Sequence, residues 1–342
     1  MAGTPKKILV RAPNWLGDLV MASPALRALR AEHPDAEIVL EGLPHYEEIA
    51  TCLPGVNAFL GDPRGGLAWF SRARRLRKLG FDWAVLLPDS MRAALAPFLA
   101  AIPVRAGYAR DPARRALLTL RLEPPQEGGQ RVPISMIDRY LRITRALGCS
   151  DRGEELTLAV PDGARARLNA RLEGSGVGEN ERIVVVTPGA SFGSSKLWPT
   201  DHFAQACDDI AKRYELHTVL APGPGEEDIS SRIADSMQTP AHLLASPPTS
   251  LAELVALIDR AQLVLTNDTG PRHIAVARNC PVVVLMGPTD TRHTAHLLRG
   301  QRVLREDVEC SPCHRKTCPI DHRCMTRLRP ERVIAAAEEL LA

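Results

Sequence analysis

Residues 7–41 read KILVRAPNWLGDLVMASPALRALRAEHPDAEIVLE, and this stretch decides the fold. It opens on an apolar run, KILVR, the pattern of a strand buried on both faces. A loop follows through Pro13 and Gly17, where Gly17 is expected to supply a tight turn. A helical pattern then runs from about Asp18 to Glu32, and a second strand is expected at residues 36–41. Strand, loop, helix and strand within about 35 residues is the length of a right-handed crossover between parallel strands.

The same grammar continues outward. A strand is expected at residues 83–87 and a helix at about 90–101. In the second half, strands are expected at 183–187, 216–221, 262–266 and 282–286. Helices are expected between them, at about 200–213, 226–237, 251–260 and 271–278. Short apolar runs flanked by helices indicate doubly wound parallel sheets. The chain has 342 residues, enough for two domains of roughly 150 residues each. The expected class is therefore α/β with two Rossmann-like domains in tandem. The N-terminal one is placed at 1–172 and the C-terminal one at 183–329. The polar, glycine-rich EGSGVGENER at 173–182 reads as the linker. Residues 330–342 read as a terminal helix with Val333, Ile334, Ala337, Leu340 and Leu341 on one side, of the kind that crosses back to the first domain. In such a pair, ligands are expected in the cleft between the domains, at the C-terminal ends of the strands.

Composition narrows the function classes. The net charge is +3 and no run of about 18 apolar residues is present. Behind Lys6 and Lys7 the apolar stretch is interrupted by Arg11, Asn14 and Asp18, which argues against a secretory signal. A cytoplasmic protein is expected, with no nucleic-acid partner indicated by overall charge. Basic residues do cluster, at Arg72, Arg74, Arg75, Arg77 and Lys78 and again at Arg110, Arg114 and Arg115. These are either solvated helix faces or a surface that meets an anionic acceptor or membrane. Neither half has a GxGxxG after its first strand, which argues against a dinucleotide oxidoreductase.

Four loops carry candidate chemistry. In RAPNWLGD, Asp18 stands near a helix N-terminus, either as a cap or as a group facing a ligand. TPGASFGSSKLWP at 187–199 follows a strand; its small residues expose backbone N–H groups and Lys196 adds a point charge, a combination suited to a diphosphate. APGPGEED at 221–228 places Glu226 and Glu227 at a helix start, where the dipole favours them, or where one accepts from a ribose diol. TNDTGPRH at 266–273 makes a polar turn ahead of a helix with Pro271 at its first positions. That turn is either a cap alone or a set of phosphate donors beside a sugar-binding Asp268.

Taken in order, Gly17-Asp18 with Ser23-Pro24-Ala25-Leu26, PGASFGSSKLWP, APGPGEED and NDTGPRHIA resemble the family 9 glycosyltransferases. These are the ADP-heptose:lipopolysaccharide heptosyltransferases, and the opening RAPNWLGD and the cysteine-rich end are more similar to their heptosyltransferase II branch. The resemblance covers nearly the whole chain. It implies an inverting GT-B enzyme with no catalytic metal, moving L-glycero-D-manno-heptose from ADP-heptose to the inner-core heptose of a lipid A-linked lipopolysaccharide precursor. By the same resemblance Asp18 is the general base. Lys196, Ser191, Glu226, Asp268, Thr269, Gly270 and His273 hold the donor, and Asn14, Trp15 and Arg110 meet the acceptor. An amphiphilic acceptor implies transient docking at the inner face of the cytoplasmic membrane. Pro271-Arg272 departs from the more apolar residues expected there, so the neighbouring pocket is expected to differ. A GT-B transferase for another nucleotide sugar is the nearest alternative.

Cys310, Cys313, Cys318 and Cys324 follow CxxCxxxxCxxxxxC, with His314 and His322 among them. The spacing leaves three readings open: a structural zinc site, reduced thiols packing a loop, or a disulfide. With Arg315, Lys316, Arg323, Arg327 and Arg329 the segment also offers a rival reading, a zinc-bearing nucleic-acid or protein-docking module. It has no aromatic platform and leaves the upstream loops unexplained.

Overall fold

The computed structural model describes residues 3–62, 68–128, 130–294 and 300–342. The chain divides into two compact units, with the break between Ala159 and Val160.

The first unit holds strands β1 (Lys7–Arg11), β2 (Glu37–Gly42), β3 (Ala58–Gly61), β4 (Trp83–Leu86), β5 (Val104–Tyr108) and β6 (Leu120–Leu122). Its helices are α1 (Leu16–Met21), α2 (Ser23–Glu32), α3 (Glu47–Ala50), α4 (Ala68–Leu79), α5 (Met91–Leu99), α6 (Pro112–Leu117) and α7 (Met136–Ala146), and a short hairpin pairs β7 (Gln126–Glu127) with β8 (Gln130–Arg131). The sheet order is β3-β2-β1-β4-β5-β6, all parallel. Ile8, Leu9 and Val10 are fully buried, as a central parallel strand covered on both faces requires.

The second unit repeats the plan with β9 (Ile183–Thr187), β10 (His217–Leu220), β11 (Ala241–Leu243), β12 (Leu263–Asn267), β13 (Val282–Leu285) and β14 (Gln301–Leu304). Its order, β11-β10-β9-β12-β13-β14, is again all parallel. Its helices are α8 (Asp162–Gly174), α9 (Thr200–Tyr214), α10 (Glu227–Ser236), α11 (Leu251–Arg260), α12 (Gly270–Ala277), α13 (Arg323–Thr326) and α14 (Pro330–Leu341). In each sheet the order reverses beside the first strand, β1 against β4 and β9 against β12. A doubly wound fold opens its ligand crevice at that reversal, beyond the carboxyl ends of the strands.

Several expectations need correction. The helix expected from Asp18 to Glu32 is two helices broken at Ala22, because Pro24 belongs to the first turn of α2. Gly17 is no turn glycine; it is the second residue of α1. The composition of 173–182 marks a surface turn between α8 and β9, not the passage between units. Helix α8 already belongs to the second unit, where Arg171 bonds Glu253 at 3.0 Å and Arg165 meets Asp259 at 3.0 Å. The terminal helix α14 also stays in that unit. Its Val333, Ala336 and Ala337 join Val184, Phe203, Leu265 and Val283 in one core, and Arg302 of β14 pairs with its Glu339.

Candidate functional site

The reversal between β9 and β12 gathers four loops: 188–199 after β9, 221–226 after β10, 268–269 after β12 and 286–290 after β13. At the strand ends, Thr187 Oγ1 donates to Thr266 Oγ1 at 2.7 Å. Asn267, fully buried, ties the loops together. Its amide nitrogen donates to the Pro188 carbonyl, and its Oδ1 accepts from the Trp198 N–H at 3.3 Å. Asn267 is therefore a strut of the site.

On this frame sits a buried charge cluster. Lys196 Nζ donates to the Asp268 carbonyl at 2.6 Å and to Asp268 Oδ2 at 2.7 Å. Thr289 Oγ1 donates to the same Oδ2 at 2.7 Å, and Arg272 donates to Oδ1 at 3.0 Å. Arg272 also bonds Gln301 at 3.0 Å. Burial alone would push the Asp268 carboxyl up. The charges of Lys196 and Arg272, with hydrogen bonds from Lys196 and Thr289, reverse this and hold it well below the usual carboxylate range. Among the described contacts, two cations, Lys196 and Arg272, face one anion. Lys196 has three N–H donors and spends two on Asp268, and its ammonium lies 5.3 Å from the centre of the Phe192 ring.

The other expected donor residues stand on the loops after β9, β10 and β12 and on α12. Glu226 sits at the head of α10 and accepts from Gly223 N–H at 2.9 Å. Burial pushes its carboxyl up, against hydrogen bonds from Gly223 and Ala190. Gly189 leaves room for the Glu226 carboxylate, which would lie 1.7 Å from a Cβ at that position. Thr269 is the N-cap position of α12 and Gly270 its first residue; the Thr269 side chain leaves the helix uncapped and donates to the Asn267 carbonyl at 3.3 Å. Ser191 is exposed on the β9 loop, and His273 is buried in α12.

In the first unit Asp18 is half-buried in the first turn of α1 and is not its N-cap, a position held by Trp15. Burial, and after it the charge of Asp18, push the phenol of the fully buried Tyr140 up. Asn14 and Trp15 are exposed, and the Asn14 carbonyl accepts from Tyr46 Oη at 2.8 Å. Arg110 is exposed.

Two members of the basic clusters do not belong to the surface. Arg72 is buried in a bidentate pair with Glu41. Arg114 is fully buried, with its guanidinium on the carbonyls of Tyr108, Pro88 and Ser90. Sequence reading also missed the partners of Arg72. At the ends of β1, β2 and β3, Arg11 bonds Asp62 at 2.6 Å and lies 3.7 Å from Glu41, so two Arg and two acids neutralise one another beneath the surface. Only acids at the carboxyl ends of two apolar strands hinted at it.

The zinc expectation at Cys310, Cys313, Cys318 and Cys324 is not carried by the structure. Among the described residues no group of three or more His, Cys, Asp or Glu is arranged to hold a metal ion. Cys310 and Cys313 are exposed, whereas Cys324 is buried against Gly287, and burial pushes its thiol up to about 11.

Two doubly wound sheets, the second carrying a buried charge cluster at its reversal point, define a protein of the GT-B transferase class. A family model described as glycosyltransferase family 9 (heptosyltransferase) matches residues 69–323, and the chain belongs to that family. It is 28% identical to lipopolysaccharide heptosyltransferase 2 of Salmonella typhimurium, over 98% of this chain and 99% of the relative. Among solved structures it is similar to ADP-heptose lps heptosyltransferase II of E. coli (TM-score 0.81, 26% identity, 98% of both chains). It shares its fold with a family 9 glycosyl transferase from Veillonella parvula (TM-score 0.84, 21% identity, 100% of this chain and 98% of that one). No described helix is long and apolar enough to cross a membrane.

Proposed function

We propose that this glycosyltransferase moves L-glycero-D-manno-heptose from ADP-heptose to the inner-core heptose of a lipid A-linked lipopolysaccharide precursor, with inversion and without a catalytic metal. The observation that carries the reading is the Lys196–Asp268–Arg272 cluster at the β9/β12 reversal. Breaking the bond from the anomeric carbon to ADP builds negative charge on the leaving diphosphate. In this reading the third N–H of Lys196 and the N–H groups at the head of α12 receive it. Thr269 and Gly270 belong to that helix start. Asp268 holds the heptose hydroxyls while its own charge is balanced by Lys196 and Arg272. Ser191 and His273 complete the donor set, and Glu226 takes the ribose side. Asn14, Trp15 and Arg110 meet the acceptor, and Asp18 accepts its hydroxyl proton as the new bond forms, when that proton becomes acidic.

Turnover is measured as ADP release with a heptosylated lipid acceptor. Asp18→Asn is expected to lose a hundredfold or more with ADP affinity intact. Full activity in that variant would remove Asp18 from the chemistry. Stabilisation by UDP or GDP equal to that by ADP would remove the ADP assignment.

The acceptor is lipid-borne, and the proposal includes docking on the inner face of the cytoplasmic membrane. Helices α4 (AWFSRARRLRKL) and α5 (MRAALAPFL) contain no acidic residue and lie side by side, with Arg77 bonded to the Leu99 carbonyl. They present Phe70, Leu79, Met91 and Phe98 to solvent, at 54, 37, 40 and 41% exposure, among exposed Arg74, Arg75, Lys78 and Arg92. Exposed apolar side chains ringed by cations suit an anionic bilayer, where each cation near the surface contributes about 1 kcal/mol. Sedimentation with phosphatidylglycerol vesicles is expected for the wild type and lost on Arg74→Glu with Lys78→Glu. Undiminished binding of that variant would refute this docking face.

A further inference from the structure

The cysteine-rich segment 310–324 has no part in the chemistry above, yet it packs directly behind the loop that carries Lys196. The Lys316 carbonyl accepts from Ser195 N–H at 3.0 Å, and the Arg315 carbonyl accepts from Ser195 Oγ. His322 Nε2 lies 2.7 Å from the Ser195 carbonyl, so that nitrogen carries the proton and donates. Ser195 thus has its N–H, its hydroxyl and its carbonyl all held by one segment. Gly193 presses on it too, since a Cβ there would stand 2.3 Å from the Lys316 oxygen.

The segment is fixed in turn to the loop after β13. The N–H groups of Cys313 and His314 donate to the Pro288 carbonyl at 3.1 and 2.9 Å, and Ser311 Oγ donates to the Gly287 carbonyl at 2.6 Å. That loop supplies Thr289, which bonds Asp268 Oδ2 beside Lys196. The segment therefore braces both loops whose side chains converge on one carboxylate oxygen. Lys196 has a long flexible stem, and holding the backbone one residue before it sets where the ammonium ends.

We propose that segment 310–324 is a brace that sets the position of Lys196 for the donor diphosphate, with His322 as its positioning residue. The inference rests on the reading of Lys196 as a diphosphate contact. His322 touches no substrate; it acts through the Ser195 carbonyl. Its backbone is left-handed (φ 55°), and its side chain bonds the loop at the Ser195 carbonyl. Removing its N–H leaves the carbonyl without that donor and lets the loop shift. Gln offers an N–H at similar reach.

The test uses the full chain as wild type, His322→Ala, His322→Gln and Ser195→Ala, with two readouts. The first is ADP affinity by calorimetry and the donor KM. His322→Ala is expected to weaken ADP and raise the donor KM about tenfold, with acceptor KM unchanged and His322→Gln recovering most of the loss. The second is amide hydrogen exchange at residues 193–197, expected to accelerate in His322→Ala and Ser195→Ala and to return toward wild type in His322→Gln. ADP affinity and donor KM within twofold of wild type in His322→Ala would overturn the proposal. So would a Gln variant as impaired as the Ala variant with a matching fall in Tm, the mark of a merely structural residue. A wild type that binds no ADP fails the donor reading instead, and unchanged exchange in His322→Ala then rejects the brace on its own.

Discussion

At the scale of single residues, Asp268 carries the clearest consequence. Its carboxylate is buried between two cations, so replacing it with Asn leaves Lys196 and Arg272 buried without their counter-charge. Breaking such a pair from one side costs about 3–5 kcal/mol. The pH dependence follows from the direction of its shift. Folded, the carboxyl takes a proton only well below the ~3.9 at which it does so unfolded. Between those values the unfolded chain binds more protons, so this stabilisation is full above about pH 5 and is lost as pH falls through 4 and below. Urea midpoints of wild type and Asp268→Asn are expected to differ most at pH 7 and to draw measurably closer at pH 3, the gap closing fully only where the folded carboxyl itself titrates. An equal gap at both would contradict the ion-pair account. The sequence showed Lys196 and Asp268 as loop residues after separate strands. It did not show that they meet, because 72 positions separate them and only the β9/β12 pairing brings them together. Arg272 stood out only as a charge where apolar residues were expected. Its burial against Asp268 and Gln301 is the reason it is tolerated there.

At the scale of elements, apolar runs were legible and the joints between them were not. Strands β9 and β13 and helix α11 fall within a residue of expectation, since uninterrupted Val and Leu runs and the Ser250–Glu253 capping box leave little choice. Joints misled because a glycine's role depends on what lies beside it. Gly17, expected in a turn, is helical, while Gly193, read as an exposer of backbone N–H groups, is pinned by a contact 120-odd positions away. Its φ of 149° lies where other residues are strained, and the Lys316 oxygen occupies the place of a Cβ. Gly193→Ala is expected to lose about 1–3 kcal/mol or more from backbone strain, and to weaken ADP as the loop moves. Gly174 in α8 is the control, with nothing within 4 Å of an added Cβ, and Gly174→Ala is expected to be neutral or slightly stabilising. Equal midpoints and ADP affinity for Gly193→Ala and wild type would mean that this contact is absent in solution. The basic runs teach the same lesson. Arg72 and Arg74 look alike in sequence, but helical periodicity turns one onto Glu41 and leaves the other in water.

At the scale of the whole molecule, the repetition of a doubly wound parallel sheet was readable from strand spacing, but three of six strands were read in the first unit and four of six in the second, and the point of division was not read. Composition favoured 173–182, whereas packing assigns α8 to the second unit because its Arg171 and Arg165 bond to Glu253 and Asp259 of α11. Each unit has a core of its own: Leu9, Leu76, Ala84 and Ala94 in the first, and Val184, Phe203, Leu265, Val283 and Val333 in the second. Units with separate cores unfold as separate cooperative steps unless their interface couples them strongly. The proposed nucleotide site lies wholly on loops of the second unit. A ligand that binds only the native form of one step stabilises that step, by about 2.7 kcal/mol at a hundred times its Kd. Calorimetry with increasing ADP is therefore expected to resolve two transitions and to move one of them upward while the other stays in place. Limited proteolysis during the same titration assigns the moving transition, with cuts after Val160 suppressed by ADP and cuts before it unchanged. Equal displacement of both transitions would show that the nucleotide is held by both units, and the donor site would then have to extend beyond the loops of β9, β10, β12 and β13.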